Sequence, residues 1–201
     1  MLKYFVFFIF LLFCSFGFAN DAFEIPRSNT VELTDPTTKR VYPVFIKTPR
    51  SYGSNTDKNY PVIYLMDALY SFQIASGATR FPMNSGAMQE AIIVGLSYSK
   101  GSKGASSRIR DYTPSKATSW KLQTGDAEGH GKFIAETVFP YIKASYRVSS
   151  SQSTFVGNSL GGLFGAYMLF KHPEMFSSYI LGSPSVWFNN HDILTMNITK
   201  P

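Results

Sequence analysis

The chain has 201 residues, 19 Lys and Arg against 13 Asp and Glu, and a formal net charge of +6. One cysteine excludes a disulfide framework, and basic residues scattered along the chain give no stripe of the kind that binds nucleic acid. The length suits one domain with a real core.

The chain begins with Lys3, an unbroken apolar run from Tyr4 to Phe13, and small residues at Gly17 and Ala19. This pattern predicts a signal peptide over residues 1–19, cut after Ala19, and an exported product that is periplasmic or secreted. A membrane anchor is the alternative, but the run is short for a span and no basic stop-transfer cluster follows. Cys14 would leave with the signal, and Phe13 is too large for a lipoprotein site.

Residues 20–201 read as a single domain. Thr30–Leu33 and Arg40–Lys47 are β-rich and joined by Asp35-Pro36-Thr37-Thr38, which predicts a hairpin. Val62–Met66, Ala91–Leu96, Phe155–Val156 and Ser178–Leu181 are short apolar runs without strict alternation, expected to be strands buried on both faces of a parallel sheet. Ala127–Tyr146 has a helical stripe of Phe133, Ile134, Val138, Tyr141 and Ile142, with Pro140 expected to bend or break it. Lys100, Lys103, Arg108 and Arg110 read as a solvated Gly/Ser-rich loop. The alternation of strand and helix makes this an α/β protein with a mostly parallel sheet.

Gly157-Asn158-Ser159-Leu160-Gly161 is a GxSxG pattern between the strand ending at Val156 and the apolar run Leu160, Leu163, Phe164, Tyr167, Met168, Phe170. That context reads as a nucleophile elbow: a serine held on a sharp strand-to-helix turn, where a base and oxyanion donors can reach it. Ser159 is the candidate nucleophile. The backbone N–H of Leu160, at the positive end of the following helix, is one candidate oxyanion donor.

Around this elbow the chain resembles the "putative esterase" family of the α/β-hydrolase fold, which includes siderophore esterases and S-formylglutathione hydrolases. The matching segments include Tyr60-Pro-Val-Ile-Tyr-Leu-Met-Asp67, Arg108-Ile-Arg-Asp-Tyr-Thr-Pro114, Gly157-Asn-Ser-Leu-Gly-Gly162, His172-Pro-Glu-Met-Phe176 and Ser183-Pro-Ser-Val-Trp187. The resemblance implies a three-layer sandwich and a serine ester hydrolase acting on a small ester, with no metal or organic cofactor. It implies a second oxyanion donor in the Asp67-Ala68-Leu69 turn, the N–H of Leu69. Ala68 departs from the family's usual glycine and puts the geometry of that turn in question. Asp67, Arg110 and Trp187 are candidate substrate-binding residues; Arg110 paired with Asp111 could equally pin its loop, and Trp187 could equally be core.

The base is the difficulty, since in this fold an acid and then a histidine follow the serine. His172 lies thirteen residues along the same helix, roughly 20 Å from the elbow, and reads as a helix C-terminal residue. His191 has poor acidic partners in Glu174 and Asp192, and His130 reads as solvated. Six strands are counted where the resemblance implies eight, so the last strands, the acid and the histidine are expected beyond residue 201, and this chain by itself is expected to turn over little. A noncatalytic binding protein on the same scaffold and an acyltransferase are the other readings.

Overall fold

The computed structural model describes residues 24–199; the signal-peptide segment and Cys14 lie outside them. Six strands form one sheet in the order β1-β2-β4-β3-β5-β6. β1 (Ser28–Thr34) and β2 (Val41–Lys47) make the expected hairpin, in the register Ser28↔Lys47 to Thr34↔Val41. Asp35 sets its turn: its carboxylate accepts from the Thr37 N–H (2.8 Å) and the Thr38 hydroxyl. β2 runs antiparallel to β4 (Ile92–Leu96), whereas β3 (Tyr60–Leu65), β4, β5 (Val148–Asn158) and β6 (Ser178–Gly182) are mutually parallel. The α/β class with a mostly parallel sheet is what the structure has.

Because successive side chains in a strand point to opposite faces, each strand feeds two cores. On one face Val44, Val62, Tyr64, Val94 and Phe155 pack under α3 (Gly104–Tyr112), α4 (Ala127–Phe133), α5 (Phe139–Ser145) and α6 (Leu160–Lys171). On the other face Leu65 and Ile93, with Phe45 and Ile63, pack against Ala68 and Phe72 of α1 (Ala68–Ala78). The fully buried Phe155, Phe164 and Met168 each contribute about 1.5–3 kcal/mol by leaving water. That locks α6 onto β5 and fixes the turn between them.

Three expectations change. The central strand β4 is buried throughout, but β6 is not: Ile180, 59 % exposed, turns to the face that α1 covers chiefly over β2, β3 and β4 among the described residues. Pro140 neither breaks nor sharply bends its helix, because a π-helical turn at Ile134–Val138 joins α4 to α5. This wide turn absorbs the missing N–H, as the Phe139 N–H bonds five residues back to Ile134. The supposed basic loop is partly helical: Arg108 and Arg110 lie in α3, while Lys100 and Lys103 precede it, and the short α2 (Arg80–Ser85) and α7 (Phe188–His191) lie elsewhere in the chain. Among the described residues no helix is long and apolar enough to cross a membrane.

Candidate active site

Ser159 stands between β5 and α6 with φ 56° and ψ −116°. A non-glycine residue rarely adopts this conformation, which costs about 1–3 kcal/mol and persists only when the surroundings over-determine it. They do so here with three backbone hydrogen bonds. The Ser159 N–H donates to the Gly182 carbonyl (2.9 Å), and the Ser159 carbonyl accepts from the N–H groups of Leu163 (2.9 Å) and Ser185 (3.0 Å).

The flanking glycines are needed for close approach rather than for φ. A Cβ on Gly157 would lie 2.3 Å from the Gly161 carbonyl oxygen, so strand end and helix start touch backbone to backbone. A Cβ on Gly161 would meet the Met66 side chain at 3.2 Å and the Asp67 carboxylate at 3.3 Å. The Asp67 turn therefore lies directly beside the elbow.

That turn carries its own positive φ at Asp67 (56°), not at Ala68. Ala68 is the first residue of α1, and its Cβ fills the space beside Gly95, so alanine there strains nothing. The Asp67 carbonyl takes the N–H groups of Tyr70 (3.2 Å) and Ser71 (3.1 Å). Ala68 and Leu69 precede any intrahelical acceptor, as do the first residues of α6. Two helix N-termini, with their free N–H groups and positive dipole ends, thus meet at the carboxyl ends of β3 and β5.

The structure occupies the Asp67 carboxylate inside the protein rather than offering it to a ligand. Arg108 donates to it twice, Nε to Oδ1 (3.0 Å) and Nη2 to Oδ2 (3.0 Å), and the Tyr98 hydroxyl donates at 2.8 Å. The Tyr112 hydroxyl accepts the Asp67 N–H at 3.2 Å. Asp67 is 2 % exposed. Burial first, and then the Asp67 carboxylate, push the Tyr98 phenol well above its usual range, so it stays a donor. Arg110 is likewise turned inward. Its guanidinium forks onto Asp111 (2.7 and 3.0 Å) and reaches the Ser99 hydroxyl (3.1 Å). Two residues apart on α3, Arg108 and Arg110 face different sides. Arg108, read from sequence as solvated, is the one that holds the Asp67 turn.

Ser185 is the residue that sequence reasoning missed. Its hydroxyl lies 3.1 Å from the Ser159 Oγ, and it is 2 % exposed. The Ser183-Pro-Ser-Val-Trp187 segment carries the available signal. Trp187 is 56 % exposed and stacks on Trp120, with centroids 6.3 Å apart, so it is not core.

The histidines lie elsewhere. His130, expected in solvent, is buried in a box of Tyr42, Tyr112, Phe133 and Phe164 rings at 5.3–5.9 Å, and neither ring nitrogen has a hydrogen-bond partner. Desolvation holds its pKa below the ordinary histidine value. His172 pairs with Glu128 (2.9 Å) at the far end of α6. His191 is exposed in a left-handed turn, and no hydrogen bond joins it to Ser159, Glu174 or Asp192 among the described residues.

Comparison with known proteins identifies the family and the fold. The family described as "Putative esterase" matches residues 36–193. Ferri-bacillibactin esterase BesA of Bacillus subtilis is 34 % identical over 192 residues, covering 89 % of this chain and 65 % of that protein. A siderophore enterobactin esterase of Emericella nidulans is 44 % identical over 73 residues, 35 % of this chain and 24 % of the relative. This chain therefore spans less than two thirds of the length of these relatives. The BES protein from Bacillus cereus superposes with a TM-score of 0.78 at 29 % identity, covering 87 % of this chain and 67 % of that one. Siderophore hydrolase EstB from Aspergillus nidulans gives 0.76 at 30 %, covering 87 % and 61 %. With the family match spanning residues 36–193 and a relative 34 % identical over 89 % of its length, the chain belongs to the "Putative esterase" family and has its α/β-hydrolase fold.

Proposed function

We propose that this chain carries the nucleophile and oxyanion half of an exported carboxylic-ester hydrolase that acts on a siderophore ester. The observation that carries the reading is the strained Ser159 turn at the start of α6, directly beside the Asp67 turn. In the proposed reaction Ser159 Oγ attacks the ester carbonyl while a base takes its proton. The N–H groups of Leu160 and Leu69 hold the developing oxyanion. The alcohol leaves, and water then hydrolyses the acyl-enzyme. Relatives named for ferri-bacillibactin, enterobactin and triacetylfusarinine C support a siderophore as substrate class. The exposed Trp187–Trp120 stack is a suitable face for its planar groups. The Met1–Ala19 segment supports export.

The base lies outside residues 24–199 on this reading, because His130, His172 and His191 are each engaged or directed elsewhere. The test is hydrolysis of p-nitrophenyl butyrate and ferri-bacillibactin by this chain and by the chain extended along its downstream reading frame. Activity that survives Ser159→Ala refutes the nucleophile. Ser159-dependent turnover by residues 24–199 alone refutes the location of the base. The absence of any histidine bonded to Ser159 among the described residues also favours a second reading, a noncatalytic binder. Saturable siderophore binding without hydrolysis by the extended chain would select it.

A further inference from the structure

A cavity of about 560 Å³ lies between the β1–β2 hairpin and α1, on the sheet face opposite α6. Its volume falls in the range of small-molecule sites. Its inner wall is apolar, built from Ile25, Phe45 and Phe72, and three cations line it: Arg27, Lys47 and Arg80. Arg27 and Arg80 are exposed at the rim. Lys47 is 7 % exposed, because its place in β2 turns it to the same face as Phe45.

Among the described residues these charges are not matched. Glu24 is the cavity's one lining carboxylate, and no ion pair joins it to Arg27, Lys47 or Arg80 among the described residues. The Ser76 hydroxyl, on a lining residue only 3 % exposed, has no hydrogen-bond partner either. Burial, and then the charges of Arg27 and Arg80, hold the Lys47 ammonium below the ordinary lysine range. Among the described residues Lys47 is a buried cation without a counter-charge, which is costly, and an anionic guest would relieve it; the Ser76 hydroxyl is a further unsatisfied polar group in the same wall.

We propose that this cavity binds a small organic anion, an apolar body carrying a carboxylate, with its head between Arg27, Lys47 and Arg80 and its body against Phe45 and Phe72. Guanidinium groups pair with carboxylates in a fork geometry, which favours that head. A bare inorganic anion would leave the apolar wall wet, so the body matters as much as the charge. This site is separate from Ser159 and does not depend on the proposed hydrolase activity.

The test is titration calorimetry of the full chain with 2-naphthoate, with the neutral 2-naphthylmethanol and inorganic phosphate as comparisons. We expect one saturable naphthoate site, about tenfold or more tighter than the alcohol, since charge-assisted hydrogen bonds are involved. Arg27→Gln/Arg80→Gln changes only exposed side chains and should weaken naphthoate about tenfold, while Ser159→Ala should leave it unchanged. Lys47→Met should also weaken it, and if that variant unfolds the rim variant still decides. Equal affinity for the alcohol or for phosphate overturns the proposal, as does no response in the rim variant. Loss of binding in Ser159→Ala would move the anion to the elbow and overturn it as well.

Discussion

Replacing Arg108 with Met would leave the Asp67 carboxylate buried with only the Tyr98 hydroxyl as side-chain donor. Two charge-assisted hydrogen bonds of 3.0 Å would go. Breaking a buried ion pair from one side costs about 3–5 kcal/mol. The Arg108 side chain is 21 % exposed, so water can partly replace it, which lowers the expectation to about 2–3 kcal/mol. In urea, with a slope of about 1–3 kcal/mol/M, the midpoint should fall by about 1 M or more. The Lys100–Glu32 pair, 54 % and 53 % exposed, is the internal control. Lys100→Met should cost less than about 1 kcal/mol. Asp67→Asn added to Arg108→Met should recover part of the loss, because the amide carries no uncompensated charge. A loss below about 1 kcal/mol in Arg108→Met would refute the argument that this pair holds the turn.

Buried, neutral His130 faces Asp111, Asp126, Arg110 and Asp35, and its folded pKa lies below the unfolded value of about 6.5. Its stability contribution is therefore present above about pH 6.5 and lost as the pH falls, by at most about 1.4 kcal/mol per pH unit; His130→Phe should flatten that limb of a pH series of urea melts. Gly157→Ala should destabilise by about 1–3 kcal/mol or more, since its Cβ would meet backbone at 2.3 Å, and thermal melts would read it. On the proposed reading, Ser185→Ala in whichever form of the chain hydrolyses ester should change kcat about two- to tenfold with KM little altered, as expected for one neutral hydrogen bond to the Ser159 Oγ. Trp187→Ala should cost less than about 1 kcal/mol in stability, yet raise KM for a siderophore while leaving that for p-nitrophenyl butyrate nearly unchanged.

The elements and the elbow were legible in the sequence because they are written in local chemistry. Turn residues mark the hairpin at Asp35, apolar runs mark β3 to β6, and Gly157 and Gly161 bracket a serine where backbone must touch backbone. The roles of the charged residues were not legible in that way. Arg108 and Arg110 have the same chemistry two positions apart. Only the packing of α3 against the Asp67 turn sends one to the site's support and the other to Asp111. His130 looks solvated between glycines, but the fold closes four aromatic rings around it. Ser185 reaches Ser159 across 26 residues because β6 pairs with β5, a contact with no local signature. The sequence by itself determined the strand-turn-helix that presents Ser159, since backbone sterics act between neighbours. Only the tertiary structure decided which side chains surround it, since electrostatic pairing and burial act between residues that the fold brings together.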